Sequence, residues 1–175
     1  FTNMDTAVKL QLASVRAEAG AKILALAPPR IPDRDNAALV YQDAFTQLTP
    51  VAQSPQRFRG TEYQNQYLWA ALAEGKIDPK DKDIQEFLAG QRQALTLLRK
   101  AAAMSGCWFE HDYFAGADML LPELDQLRRS AQLLGLDAIA RAARSDARAA
   151  LDDVAAMFGV ARHVSDLTLI SMLVS

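Results

Sequence analysis

Cysteine occurs once in these 175 residues and histidine twice. A single thiol, Cys107, builds no internal disulfide, and so few soft ligands leave little from which to assemble a four-coordinate metal site. Neither sign of charge prevails: 19 basic residues stand against 21 acidic ones, a net charge of −2. A nucleic-acid binder needs a basic stripe to neutralise phosphates, so nucleic acid is not an expected partner. No run of about 18 apolar residues exists, so no transmembrane segment is expected. Glycine and proline are sparse and fall mostly between the periodic stretches, and β-branched residues are scattered, so strand alternation is nowhere sustained. What remains is a chain half apolar, dominated by Ala and Leu. The composition predicts an all-α fold of six or seven mostly antiparallel helices. The length suits one helical domain over 1–175, divisible into an N-terminal part, 1–104, and a hairpin part, 120–175.

The apolar spacing predicts the elements one by one. Val8, Leu12, Val15, Ala19, Ile23 and Leu26 share a face of a first helix over Met4–Ala27, ended by Pro28-Pro29. Asp33 and Asp35 offer N-caps for a second helix, Asn36–Leu48, with Ala38, Tyr41, Ala44, Phe45 and Leu48 inward. A loop bracketed by Pro50 and Pro55 carries Arg57-Phe58-Arg59-Gly60. A third helix starts near Thr61, buries Tyr63, Tyr67, Leu68, Ala71 and Leu72, and ends at Gly75 with a left-handed cap. Asp78-Pro79 turns the chain into a fourth helix, Lys80–Met104, whose inner face is Ile84, Phe87, Leu88, Gln91, Leu95, Leu98 and Ala102. Gly90 weakens that helix by about 1 kcal/mol relative to Ala. Residues 105–118 read as an irregular, aromatic-rich connector. Pro122 then opens a fifth helix with Leu124, Leu127, Ala131, Leu134, Ala138 and Ala142 on one side. Ser145-Asp146 turns into a sixth, with Ala147, Ala150, Leu151, Val154, Phe158 and Ala161 inward. Ser165-Asp166 caps a short seventh, which is apolar from Leu167 to Val174 and reads as a helix cut short or one that docks against a partner. A chain that opens on Phe1 rather than Met reads as a processed or trimmed product.

The fifth and sixth helices resemble a tetratricopeptide-type hairpin. Leu134 and Ala138 match the large-then-small pattern of that repeat's first helix, Ser145-Asp146 stands at its turn, and Ala150, Leu151, Val154 and Phe158 match its second helix. Arg141 departs from the usual aromatic and Arg162 from the usual terminal Pro. The fragment running from Asn36 to Phe45 also resembles a first repeat helix, and similar blocks occur in bacterial α-helical proteins. The resemblance covers about 45 residues and implies a helical-repeat scaffold in which small residues let antiparallel helices approach closely. It implies no catalytic residue.

Chemistry-bearing side chains concentrate in one place. Gly106 to Phe114 holds the lone Cys, one His and two acids, so Cys107, Glu110, His111 and Asp112 are the candidate metal ligands; in a helix Cys107 and His111 would share a face. Cys107 with His111 or His163 is also a conceivable nucleophile and base, but no oxyanion donors accompany them. The favoured reading is a connector whose aromatics fill the core. The carboxylate pairs Asp33/Asp35, Glu123/Asp125 and Asp152/Asp153 each have a structural reason: caps, the start of a helix, and the face of helix six opposite its apolar side. His163 reads as an imidazolium at a helix C-terminus. The Arg-only cations beyond Lys100 — Arg128, Arg129, Arg141, Arg144, Arg148 and Arg162 — have the chemistry to grip carboxylates or phosphates, yet read as residues of solvated helix faces.

The function expected is therefore a non-enzymatic helical scaffold or interaction domain, with no cofactor and no catalytic residues. Its partner would be another protein, or a second copy through the C-terminal apolar helix, with Trp108, Phe109, Tyr113, Leu169 and Met172 as contact candidates. A metal- or small-ligand-binding enzyme centred on 106–114 is the second reading, and an apolar-ligand carrier the third.

Overall fold

A computed structural model describes residues 29–48, 64–111 and 121–174, together with Gln11, Ser14 and Glu18; side chains are described for these except 64–67 and 166–174. The fold is all-α. Among the described residues from 29 onward six helices follow one another: α1 (Ala37–Gln47), α2 (Gln64–Ala73), α3 (Lys82–Gly90), α4 (Arg92–Ala103), α5 (Pro122–Ala143) and α6 (Ala147–Val174), with a short 3-10 turn over Asp33–Asp35. The predicted first helix lies outside the described residues save for Gln11, Ser14 and Glu18, each helical and exposed. The 57–60 loop, the start of the third predicted helix and the second half of the aromatic connector lie outside them too.

Local chemistry sets most boundaries. The cap of α1 is Asn36, whose Oδ1 accepts from the Ala38 amide at 3.1 Å. Asp33 and Asp35, expected as caps, belong instead to the preceding 3-10 turn. The Asp81 side chain accepts from the Asp83 amide at the start of α3. Pro122 opens α5, where its missing N–H costs nothing. Two helices end in the same motif. Gly75, at φ 69°, follows α2, with Gly75 N–H donating to Leu72 O and Lys76 N–H to Ala71 O. Ser145, at φ 65°, follows α5, with Ser145 N–H donating to Ala142 O and Asp146 N–H to Arg141 O. Both pairs of bonds are the two that close a Schellman cap.

Two predicted elements are redrawn. The single helix expected over Lys80–Met104 is two, broken at Gln91 immediately after Gly90, the weakest helix former in the stretch. All seven residues assigned to its inner face are nonetheless buried. In the other direction, Ser165-Asp166 caps nothing. The sixth helix runs unbroken to Val174, and Ser165 Oγ bonds back to Ala161 O within it.

Packing is non-sequential. α1 lies on α4, α4 on α6, α6 on α5, and α5 on α2, with α3 beside α4. The three-residue turn between α5 and α6 makes them an antiparallel hairpin. One apolar cluster joins all six helices, and Tyr41, Leu68, Leu98, Leu127, Leu133 and Leu134 within it have no accessible surface. Glycines mark the closest approaches. A Cβ at Gly159 would overlap the Ala102 carbonyl, so α6 and α4 meet backbone to backbone there. A Cβ at Gly135 would stand 2.7 Å from Trp69 Nε1, so the indole lies against the α5 backbone.

Candidate functional site

The 105–111 connector is extended, and α1 holds it there. Ala37 N–H donates to Gly106 O at 2.9 Å, and the Asn36 side chain brackets Trp108, accepting from its amide at 2.8 Å and donating to its carbonyl at 2.9 Å. No helix runs through 105–111, so the face that a helix would have given Cys107 and His111 does not form. His111 turns instead to Glu123, in the first turn of α5, with Nε2 and Oε1 2.6 Å apart and both side chains buried. Glu110 is exposed, and Asp112 lies outside the described residues. Among the described residues no three His, Cys, Asp or Glu side chains are grouped to hold a metal ion.

The contact candidates separate in the same way. Phe109 is buried in the core cluster, and Trp108 is half-buried with the Arg30 guanidinium 5.7 Å from its ring centre. Tyr113 is outside the described residues. Leu169 and Met172 lie on the last turns of α6.

Of the predicted inner face of the sixth helix only Ala150 is buried. Leu151 is 67 % exposed and Phe158 73 %, with Val154 exposed between them, whereas Ala150, Asp153, Ala156, Val160 and His163 point inward. The physical reason is close approach: with α4 in backbone contact at Gly159, the inner stripe has room only for small residues and for polar groups that find partners.

Asp153, expected to face solvent, has no accessible surface and belongs to an ion quartet. Its Oδ1 accepts from Arg99 Nε at 2.6 Å, and its Oδ2 lies 3.2 Å from Arg141 Nε. Asp137 Oδ2 accepts from Arg99 Nη2 at 2.5 Å and from Arg141 Nε at 2.7 Å. α4, α5 and α6 are thus tied by two guanidiniums and two carboxylates whose charges cancel. Burial pushes the Asp153 carboxyl up, against the pull of the Arg99 hydrogen bond. Burial lowers the Arg141 guanidinium, but its bond to Asp137 and the surrounding carboxylates outweigh that and leave it above its ordinary value.

His163 is not at a helix end. It lies fully buried in the body of α6, with Nε2 3.1 Å from Met104 O and Nδ1 3.0 Å from Tyr41 Oη. A carbonyl only accepts, so Nε2 carries a proton toward Met104 O, while Nδ1 pairs with the Tyr41 hydroxyl. Desolvation holds the Tyr41 phenol well above its usual range; Cys107 adds to this, and Arg162 opposes it. Arg162 donates to Met104 O at 2.7 Å, satisfying a carbonyl left open at the end of α4.

Signals for the quartet were present. Asp137 and Arg141 stand four apart on α5, a spacing that pairs opposite charges, and Asp153 sits between Ala150 and Ala156 at helical spacing. Comparison with protein-family models, curated proteins and solved structures found no match.

Proposed function

We propose that this chain is a non-enzymatic helical interaction domain that takes the amphipathic helix of a partner protein along the outer face of α6. One observation carries the reading: Leu151 and Phe158, two large apolar side chains one heptad apart, are mostly exposed on a helix whose inner face is already packed. Val154, three residues after Leu151 and four before Phe158, is exposed between them, so the three follow the spacing of a helix–helix seam. Single exposed hydrophobics need no explanation, but a row in register does. The α5–α6 hairpin, with Ala138 buried near the end of α5 and Ala150 near the start of α6, supports the helical-repeat reading. Among the described residues no helix is long and apolar enough to cross a membrane.

The test is photo-crosslinking from position 158 in the native host, beside a Leu151→Asp/Phe158→Asp variant. A partner whose crosslinked peptide is an amphipathic helix, and whose capture disappears in the variant, supports the proposal. Crosslinks only between copies of this chain assign the face to self-association instead, and the absence of any crosslinked protein rejects a docking role.

A further inference from the structure

A cleft of about 180 Å³ opens where α3, α4 and the end of α5 meet, over the exposed side of the ion quartet. Arg92, Arg99, Arg141 and Arg144 line it, along with Leu88, Leu95 and, between the two inner guanidiniums, the Asp137 carboxylate. Two of the four guanidiniums come from the α4 side and two from the end of α5. Arg99 and Arg141 are already neutralised by Asp137 and Asp153, which have almost no access to solvent themselves. Arg92 and Arg144 are surplus to that pairing. Arg144 reaches the neutral Gln85 Oε1, and the Arg92 side chain meets no carboxylate among the described residues. Asp146, at the rim and 4.0 Å from Arg141 Nη1, offsets one of the two extra charges.

Donors are also in surplus. A guanidinium carries five N–H groups. Arg99 spends Nε and Nη2 on the quartet and Arg141 only Nε, so Arg99 Nη1 and both Nη atoms of Arg141 have no hydrogen-bond acceptor among the described residues. The quartet accounts for the cohesion of α4, α5 and α6 without Arg92 or Arg144, and stability alone gives no reason to converge four cations on one cleft.

We infer that this cleft binds a small oxyanion of the phosphate class, free phosphate or a phosphomonoester, through the forks of Arg92, Arg99, Arg141 and Arg144. Guanidinium matches phosphate oxygens two at a time, and forks arriving from opposite walls suit a tetrahedral group better than a planar carboxylate. Size sets the limit on the rest of the ligand. A cavity of about 150 Å³ holds benzene, whereas drug-sized ligands need roughly 300 Å³ or more. A phosphoryl group with a few carbons fits, the carbons lying on Leu88 and Leu95. The site shares no residue with the outer face of α6.

Calorimetric titration of the full chain with inorganic phosphate, phenyl phosphate and succinate tests it, alongside Arg92→Ala/Arg144→Ala and the charge-keeping Arg92→Lys/Arg144→Lys. Saturable one-site binding of a phosphate arm is expected, weakened about tenfold or more in the Ala variant, the loss that one or two charge-assisted hydrogen bonds carry. It should weaken again as ionic strength rises from about 0.01 M to about 0.15 M. The Lys variant should recover only part of the affinity, because an ammonium has no fork. Tighter binding of phenyl phosphate identifies a phosphomonoester ligand, and tighter binding of inorganic phosphate the free ion. No saturable binding of either phosphate, equal affinity in the Ala variant with its circular dichroism unchanged, or succinate binding as tightly as phosphate would each overturn the assignment.

Discussion

The two faces of α6 invert the ordinary arrangement. Inward, where aliphatics are expected, stand an aspartate and a histidine with no accessible surface; outward, where polar residues belong, stand a leucine and a phenylalanine. The inner face survives because each polar group there is answered: Asp153 by two guanidiniums, His163 by a hydroxyl and a carbonyl. The outer side chains Leu151, Val154 and Phe158 have no such answer among the described residues. The contrast separates two roles along one helix. The inner stripe holds α4, α5 and α6 together, and substitutions there should be read in stability. The outer stripe contributes little to folding, and substitutions there should be read in association.

The largest effect should come from breaking the quartet. Asp153→Ala leaves Arg99 and Arg141 facing each other with half their counter-charge gone, and removing one partner of a buried pair costs about 3–5 kcal/mol. Urea unfolding should show the midpoint falling steeply, and a loss under about 1 kcal/mol would mean that the quartet is a surface feature. Gly159→Ala comes next. Its Cβ overlaps the Ala102 carbonyl, a backbone atom that cannot rotate away, so α6 must lift from α4 at a cost of about 1–3 kcal/mol.

Tyr41→Phe should cost about 1 kcal/mol at neutral pH, the net value of the hydrogen bond to His163. Its sharper signature is alkaline. Burial raises the Tyr41 phenol above its unfolded value, near pH 10. The unfolded chain therefore loses this proton first, and a contribution complete below about pH 10 disappears as the pH climbs toward the folded value. Thermal midpoints between about pH 9 and 11.5 should fall more steeply for the parent chain than for Tyr41→Phe, and parallel curves would show that the phenol is not held neutral.

Sequence periodicity reached the helices and most of the core, because α1 to α4 bury aliphatic stripes that read at 3.6-residue spacing. It placed all seven inward residues of Lys80–Met104 and the left-handed turn at Gly75. It missed the break at Gln91, since a buried glutamine continues the pattern that Gly90 interrupts. It placed Ala150 inward but misread the rest of α6, because the large Leu151, Val154 and Phe158 were taken as the buried stripe, while the true inner stripe, through Asp153, Ala156, Val160 and His163, is chosen by how closely Gly159 lets α4 approach. The quartet escaped for a related reason. Arg99, Asp137, Arg141 and Asp153 come from three helices, and only their packing order brings them together. The irregular connector expected at 105–118 carries no helix over its described part, where Asn36, some seventy residues earlier, holds Trp108 through both its amide and its carbonyl.

The smallest effect on stability should follow from emptying the outer row. Leu151→Ser and Phe158→Ser remove side chains that are already mostly in water, so little apolar area is returned to solvent on unfolding and each should shift stability by no more than about 0.5 kcal/mol. The two together, seven residues apart on one helix, should remain nearly additive. If the row is an interface, the same pair should abolish crosslinking from this face while leaving the urea midpoint in place, a separation that the inner-face variants cannot produce. A large loss of stability from Phe158→Ser would mean instead that this side chain is covered by another part of the chain, and the outer face of α6 would then be core rather than a surface kept for a partner.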